Sequence, residues 1–213
     1  LMTLAGAAAT GVFVGDFLGF VAATMLAGLA GAGLAMSARG GAGGLGAGVR
    51  MLIWQGAAGL LMTAGVGLIW AHSRSVDFDI VDAATPGGAL LFAGLLIQAG
   101  APGAHVWVKD ALARATPVGA AALAAFPRTL AIYALVRAFP GEPALIPIGA
   151  VMALWPLAFA AGARDLRVAM AYGAVSQAGA SLIAIGAATP LAVGGAAAYA
   201  FACALHSALG FMT

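Results

Sequence analysis

The chain is a succession of long apolar stretches separated by short polar ones. Charge-free runs cover Phe17–Ala38, Met51–Ala71, Ala83–Ala104 and Pro143–Ala163, and a fifth, Ala115–Val136, is interrupted only by Arg128. Each is close to the roughly 20 residues that an α-helix needs to cross a hydrocarbon core ~30 Å thick. Beyond Arg167 the apolar run is too long for one helix, and Thr189-Pro190 divides it into helices over about 167–188 and 191–213. Leu1–Val14 reads as the tail of a further helix. The runs are continuous rather than alternating, which argues against a β-barrel. The pattern therefore predicts one all-α, polytopic transmembrane bundle over residues 1–213, with seven full spans and a partial first one. The chain shows no basic n-region or cleavage site at its start, opens on Leu1 and stops inside an apolar run at Thr213. It is expected to be a fragment of a longer polypeptide.

Composition strengthens this picture. Of 213 residues 63% are hydrophobic and 8% charged, against about 25% charged in a soluble domain. Mean hydropathy is +1.06. Nine Lys/Arg and seven Asp/Glu are too few to cover a water-soluble surface. A soluble globular protein, a disordered chain and a nucleic-acid binder are excluded. The net charge of +2 carries no information on acidic partners, because no basic cluster exists. Cys203 is the single cysteine, so there is neither an internal disulfide nor a multi-cysteine metal site. No Ser/His/Asp triad, metal-ligand set or Rossmann loop is present, and no cofactor is expected.

Lys and Arg fall into alternate loops. Arg39, Arg50, Lys109, Arg114, Arg164 and Arg167 share one side; Arg74 and Arg137 share the other with Asp77, Asp79, Asp82 and Glu142. The positive-inside rule puts the loops of Arg39, Lys109 and Arg164 in the cytoplasm, as in a bacterial inner membrane. The tract Arg39–Gly48, almost all Gly and Ala, is expected to be a flexible loop, since it lacks the Lys-Ser/Thr ending of a phosphate cradle. The 32 glycines fit close helix packing, and equally a biased coding composition.

The segment from Gln98 to Val118 is unlike an ordinary span. Gly100, Pro102 and Gly103 predict a broken helix near Gln98–Gly103, followed at once by His105, Trp107, Lys109 and Asp110. Such breaks are tolerated at membrane depth only when buried in protein or lining a wet cavity, and transporters use them as ion sites. The run His105-Val-Trp107-Val-Lys-Asp110-Ala111, then Thr116-Pro117-Val118, resembles the antiporter-like, proton-conducting membrane subunits of respiratory complex I and of Mrp-type cation antiporters. The likeness continues through Arg128–Arg137, Asp165–Gly179 and His206–Gly210, and starts at Gly15–Gly19. It implies a partial antiporter-like, inverted-repeat fold, with the second repeat represented only by its first helices.

The resemblance also implies a line of buried ionisable residues that passes protons. Carried over residue by residue, that line is depleted. The family acid's position is occupied by Met25, the helix-seven lysine's by Gln98, and a helix-eight lysine's by Arg128. His206 matches a helix-eleven histidine, while Gly210 stands where a lysine is expected. Met cannot ionise, Gln can orient water without carrying charge, and Arg, far more basic than Lys, holds its proton. Arg128, Gln98 and His206 are the candidates for a proton or ion path.

Structural roles compete at each position. Arg128 either serves transport or ties to a backbone carbonyl freed by Pro127. His206 is a relay or a packing histidine. His105 suits capping and interfacial anchoring, and His72 an interfacial place. Lys109 and Asp110 form a local surface pair or touch a neighbouring subunit. Asp16 caps a helix, Arg50 snorkels, the Asp77/Asp79/Asp82 loop is solvated, and Gln98 finds water at the break. The reading is an antiporter-like membrane subunit of a complex I- or Mrp-related assembly, with no catalytic residues of its own. Any NADH:quinone oxidoreductase activity would belong to the whole translocase. Its partners would be other membrane subunits, lipid, and protons or Na+. Two alternatives remain: a structural interaction subunit without its own channel, and a free-standing small-solute transporter.

Overall fold

The computed structural model describes residues 1–37 and 42–212. They form ten helices: α1 (Met2–Phe13), α2 (Phe17–Met36), α3 (Ala42–Ser73), α4 (Pro86–Ala99), α5 (His105–Arg114), α6 (Pro117–Ala125), α7 (Pro127–Ala138), α8 (Leu145–Ala161), α9 (Leu166–Gly186) and α10 (Pro190–Met212). Among the described residues there is no strand, only one isolated antiparallel bridge between Asp16 and Asp77. The all-α class expected from the pattern is the one observed.

Helix boundaries follow local chemistry. The Asp16 carboxylate accepts the Gly19 N–H at 2.6 Å and caps α2. Thr85 and Thr116 do the same for α4 and α6, each with proline at the first helical position, where its missing N–H costs nothing. Pro127 opens α7, yet Phe126 N–H still reaches Ala122 O and Leu130 N–H reaches Phe126 O. Helices α6 and α7 are therefore two halves of one kinked rod, Pro117–Ala138.

Every apolar stretch contains one helical rod. Five rods are long and apolar enough to cross a membrane: Phe17–Met36, Gly43–Ser73, Pro117–Ala138, Leu166–Gly186 and Pro190–Met212. α4 and α8 are shorter than their apolar stretches, because Thr85-Pro86 starts α4 late and Gly100 ends it early. At ~1.5 Å per residue α4 reaches only about 21 Å, so the break and α5 complete its path.

The glycine tract departs from expectation. Arg39 lies outside the described residues, and from Ala42 onwards the tract is helix, not flexible loop. A Cβ on Gly48 would come within 2.9 Å of Ala32 O, so here glycine serves close approach of α3 to α2. The same device recurs elsewhere. A Cβ on Gly65 would lie 2.6 Å from Leu91 N, and one on Gly149 2.7 Å from Gly179 O.

Helices α2, α3, α4 and α7 close a ring, each packing on the next and α7 returning to α2. α8 and α9 form a tight pair beside it, and α10 lies against α9 and the α6–α7 rod. Charged groups gather at the two ends. At one end Arg50 Nε contacts Asp110 Oδ2 at 2.6 Å, Lys109 contacts the same carboxylate at 3.2 Å, and Arg167 donates to Ala115 O. At the other, Arg137 lies 4.3 Å over the Phe78 ring and donates to Tyr133 Oη, which donates to Val12 O.

Candidate functional site

The broken helix is built by a hydrogen-bonded stop. Gly100 adopts the left-handed conformation, φ 88°, which a side chain would disfavour. Its N–H returns to Ile97 O and the Ala101 N–H to Leu96 O, the pair of bonds that closes a Schellman motif. Gly103 is also left-handed, at φ 92°, and Pro102 lies between them. The chain then turns into α5, whose N-cap is Ala104 with no side-chain bond. His105 therefore caps nothing, contrary to expectation; its ring lies 6.5 Å from that of Tyr172, and it lines a small crevice with Gly100, Pro102, Trp155 and Pro156. Capping falls to Trp107 instead. Its indole is 2% exposed and Nε1 donates to Ile97 O at 3.0 Å, a carbonyl in the last turn of α4.

Lys109 and Asp110 form the expected local pair at 3.2 Å, but not at the surface. Asp110 is 8% exposed, not a surface acid, and its main partner is Arg50 from α3. Arg50 thus binds across to α5 rather than snorkelling freely. The reason is geometric: the break turns α5 back onto α3, which no spacing in the sequence reveals.

The interior holds three side chains with unmet hydrogen-bonding capacity. Gln98 is 1% exposed and Arg128 3% exposed, and Gln98 Nε2 and Arg128 Nη1 have no partner. Gln55 on α3 is 5% exposed, with both amide atoms unpartnered. Among the described residues these are the buried side-chain N and O atoms without a hydrogen-bond partner. Each such atom costs about 1–3 kcal/mol when left dry. Gln55 was missed by the sequence reading. Its signal was a lone amide in a charge-free run, the same signal that singled out Gln98.

The packing register runs along two seams. Along α2, Leu34 meets Gly119, Gly31 meets Leu123 and Met51, Gly28 meets Gln55, and Ala23 and Leu130 both meet Gly11. Along the α3–α4 seam, Gly65 meets Leu91, and Ala58 and Met62 meet Gly94. Gln55 thus lies against α2, while Gln98 sits in the last turn of α4 and Arg128 in the first turn of α7. All seven carboxylates lie elsewhere. Asp16 and Asp165 cap helices, Asp110 is paired, and Asp77, Asp79, Asp82 and Glu142 lie in connecting segments.

Two other sequence candidates are exposed. Met25 is 41% exposed and packs on Gly59 across the α2–α3 seam. His206 is exposed on the outward face of α10, while its neighbour Ser207 points inward and donates to Gln177 Oε1 at 3.1 Å. Of the three path candidates, Gln98 and Arg128 are buried and His206 is exposed. Among the described residues no group of His, Cys, Asp and Glu is placed to hold a metal ion.

Known proteins share both sequence and fold. A stretch of 135 residues is 36% identical to the "NADH-ubiquinone oxidoreductase chain 5" of Chlamydomonas reinhardtii, covering 60% of this chain and 24% of that protein. The fold matches a chain of the Mrp complex from Dietzia sp. DQ12-45-1b with TM-score 0.88 at 20% identity, covering 97% of this chain and 42% of that one. It matches a chain of respiratory complex I from Thermus thermophilus with TM-score 0.83 at 21% identity, covering 99% and 49%. This chain therefore spans about a quarter of the curated relative and less than half of the solved chains. The profile of the family described as "NADH:quinone oxidoreductase/Mrp antiporter, TM" matches residues 15–213, so the chain is an integral membrane protein belonging to that family.

Proposed function

We propose that this chain is an antiporter-like subunit of a complex I- or Mrp-related membrane assembly and takes part in proton or cation translocation through a path depleted of ionisable groups. The observation that carries this is a pair of buried polar side chains with unmet N–H groups in an apolar bundle, the amide Gln98 just before the helix break and the cation Arg128 at the start of α7. Membership of the family supports it. Its partners are other membrane subunits, the lipid bilayer, and protons or Na+. Any oxidoreductase chemistry would belong to the assembly.

Arg128 keeps its charge in this path and acts by its field, whereas a lysine can give up its proton. His206, outward on α10 at mid-span, needs protein or water beside it, because an ionisable side chain facing lipid is costly. That face suits a further helix of the assembly. Segregation of Arg50, Lys109, Arg114 and Arg167 to one end supports a cytoplasmic placement of that end, in a bacterial inner membrane.

The test is ion flux in proteoliposomes that hold the purified full-length assembly, wild type against Arg128→Ala. Loss of a pH-dependent flux, with the assembly intact, is expected. Unchanged flux would make the chain a structural interaction subunit.

A further inference from the structure

Helices α1 and α10 both pack on α7 and leave a groove between them. The groove holds about 350 Å³ and is lined by fifteen residues, none of them charged and all but Thr129 and Tyr133 apolar in side chain. Phe13 from α1 and Phe201 from α10, 88% and 64% exposed, flank it from either side. In a membrane such a groove is filled by hydrocarbon, and its volume selects the form. A helix as long as α7, ~18 Å by ~10 Å across, displaces about 1,400 Å³. The groove holds about a quarter of that, room for an extended chain rather than a helix.

One end of the groove is marked by a cation. Tyr133, in its wall, donates to Val12 O at 2.8 Å and accepts from Arg137 Nη1 at 2.9 Å. Arg137 follows the lining residue Val136 and sits in the last turn of the span Pro117–Ala138, at the depth of lipid headgroups. Its guanidinium lies 4.3 Å over the Phe78 ring and reaches Phe78 O with Nη2. These bonds use two of its five N–H donors. It has no carboxylate partner among the described residues, whose ion pairs are those of Arg50 and Lys109. Hydrocarbon chains joined to a phosphate complement both parts, since a planar guanidinium takes phosphate oxygens bidentately.

We propose that the α1–α7–α10 groove binds a phospholipid, with one acyl chain lying along α7 and the phosphate on Arg137. The chain gains little from the groove by itself, because the surrounding lipid is as apolar as the lining. The groove therefore sets where the lipid lies, and Arg137 sets how firmly it is kept. The inference does not depend on ion flux, since a conducting subunit and a scaffold would hold the same lipid.

The test is native mass spectrometry of the purified full-length assembly, released from nanodiscs of phosphatidylethanolamine and phosphatidylglycerol. The wild type is expected to retain one phospholipid more per copy of this chain than Ala197→Trp, which fills the groove from the α10 side and leaves Arg137 in place. Arg137→Gln is expected to lower that occupancy about tenfold, the loss of one charge-assisted contact, and Arg137→Lys to recover part of it. A photoreactive benzoylphenylalanine in place of Ala197 identifies the occupant directly, and a lipid adduct is expected. If Arg137→Gln fails to assemble, because Arg137 also holds the Phe78 segment, the Ala197 variant and the cross-link still decide. Equal retention in the wild type and Ala197→Trp, full occupancy in Arg137→Gln, or a cross-link to a helix of the assembly would overturn the proposal. Unaltered flux in Arg128→Ala would remove the proposed function and leave this site standing; loss of the lipid signal alone would remove only this site.

Discussion

Arg128 carries its charge into a bundle whose carboxylates cap helices, pair at α5 or lie in connecting segments, and the other buried side chains with unpartnered atoms are the amides Gln55 and Gln98. Among the described residues this sets the chemistry of the interior: hydrogen bonding and a fixed field, with Cys203 a buried free thiol. At the end of the bundle the balance is different. Asp110 serves Arg50 and Lys109 together, and it is the most enclosed of the three. Removing it strands two cations, whereas removing Lys109 leaves the Arg50–Asp110 contact in place. Asp110→Ala is therefore expected to destabilise the assembly by about 1–2 kcal/mol and Lys109→Ala by about 0–1 kcal/mol, the range of partly exposed pairs. Denaturation in detergent measures both; equal losses would show that Asp110 does not hold α5 to α3.

Elements are joined by missing side chains as much as by present ones. Apolar side chains gain little by packing together in lipid, which is as apolar as they are, so contact between helices rests on close fit. The α8–α9 seam shows this in its plainest form. A Cβ on Gly149 would approach Gly179 O, Ile183 N and the Ile183 side chain all within 2.9 Å, and two of those are backbone atoms that cannot step aside. Gly149→Ala is expected to part the helices and cost about 1–3 kcal/mol, as overpacking does. Gly56 has nothing within 4 Å of an added Cβ, so Gly56→Ala is expected to be neutral or stabilising, since alanine is the better helix former by about 1 kcal/mol. Thermal stability of the two variants side by side checks the assignment, and a reversed order would refute it.

For the molecule as a whole, the charge distribution makes an orientation testable. Lys109 and Arg167 lie at one end, and Asp77, Phe78 and Arg137 at the other, so a single reagent on one side of the membrane distinguishes them. With Cys203 replaced by Ser, Lys109→Cys is expected to react with a membrane-impermeant thiol reagent only from the cytoplasmic side, and Asp79→Cys only from the opposite side. Labelling from the reverse sides would invert the proposed topology. The solved relatives extend well beyond this chain, and on the outward face of α10 Leu205, His206 and Leu209 are exposed.

The apolar runs and their breakers determined the helices, because a backbone in lipid must satisfy its own hydrogen bonds and a run of about 20 apolar residues leaves it one way to do so. Asp16, Thr85-Pro86, Gly100 and Thr116-Pro117 could be read as starts and stops for the same local reason. The break at Gln98–Gly103 and the isolated charge at Arg128 were legible because each violates the composition around it. Who meets whom was not. Residues 50 and 110, or 28 and 55, are joined only by the path of the chain through space, and composition holds no record of that path. For the same reason a glycine-rich tract that reads as a loop became the start of α3, packed where a side chain would not fit. The inward turn of Gln55 and the outward turn of His206 were likewise decided by helix rotation, which in an all-round apolar helix no hydrophobic stripe announces.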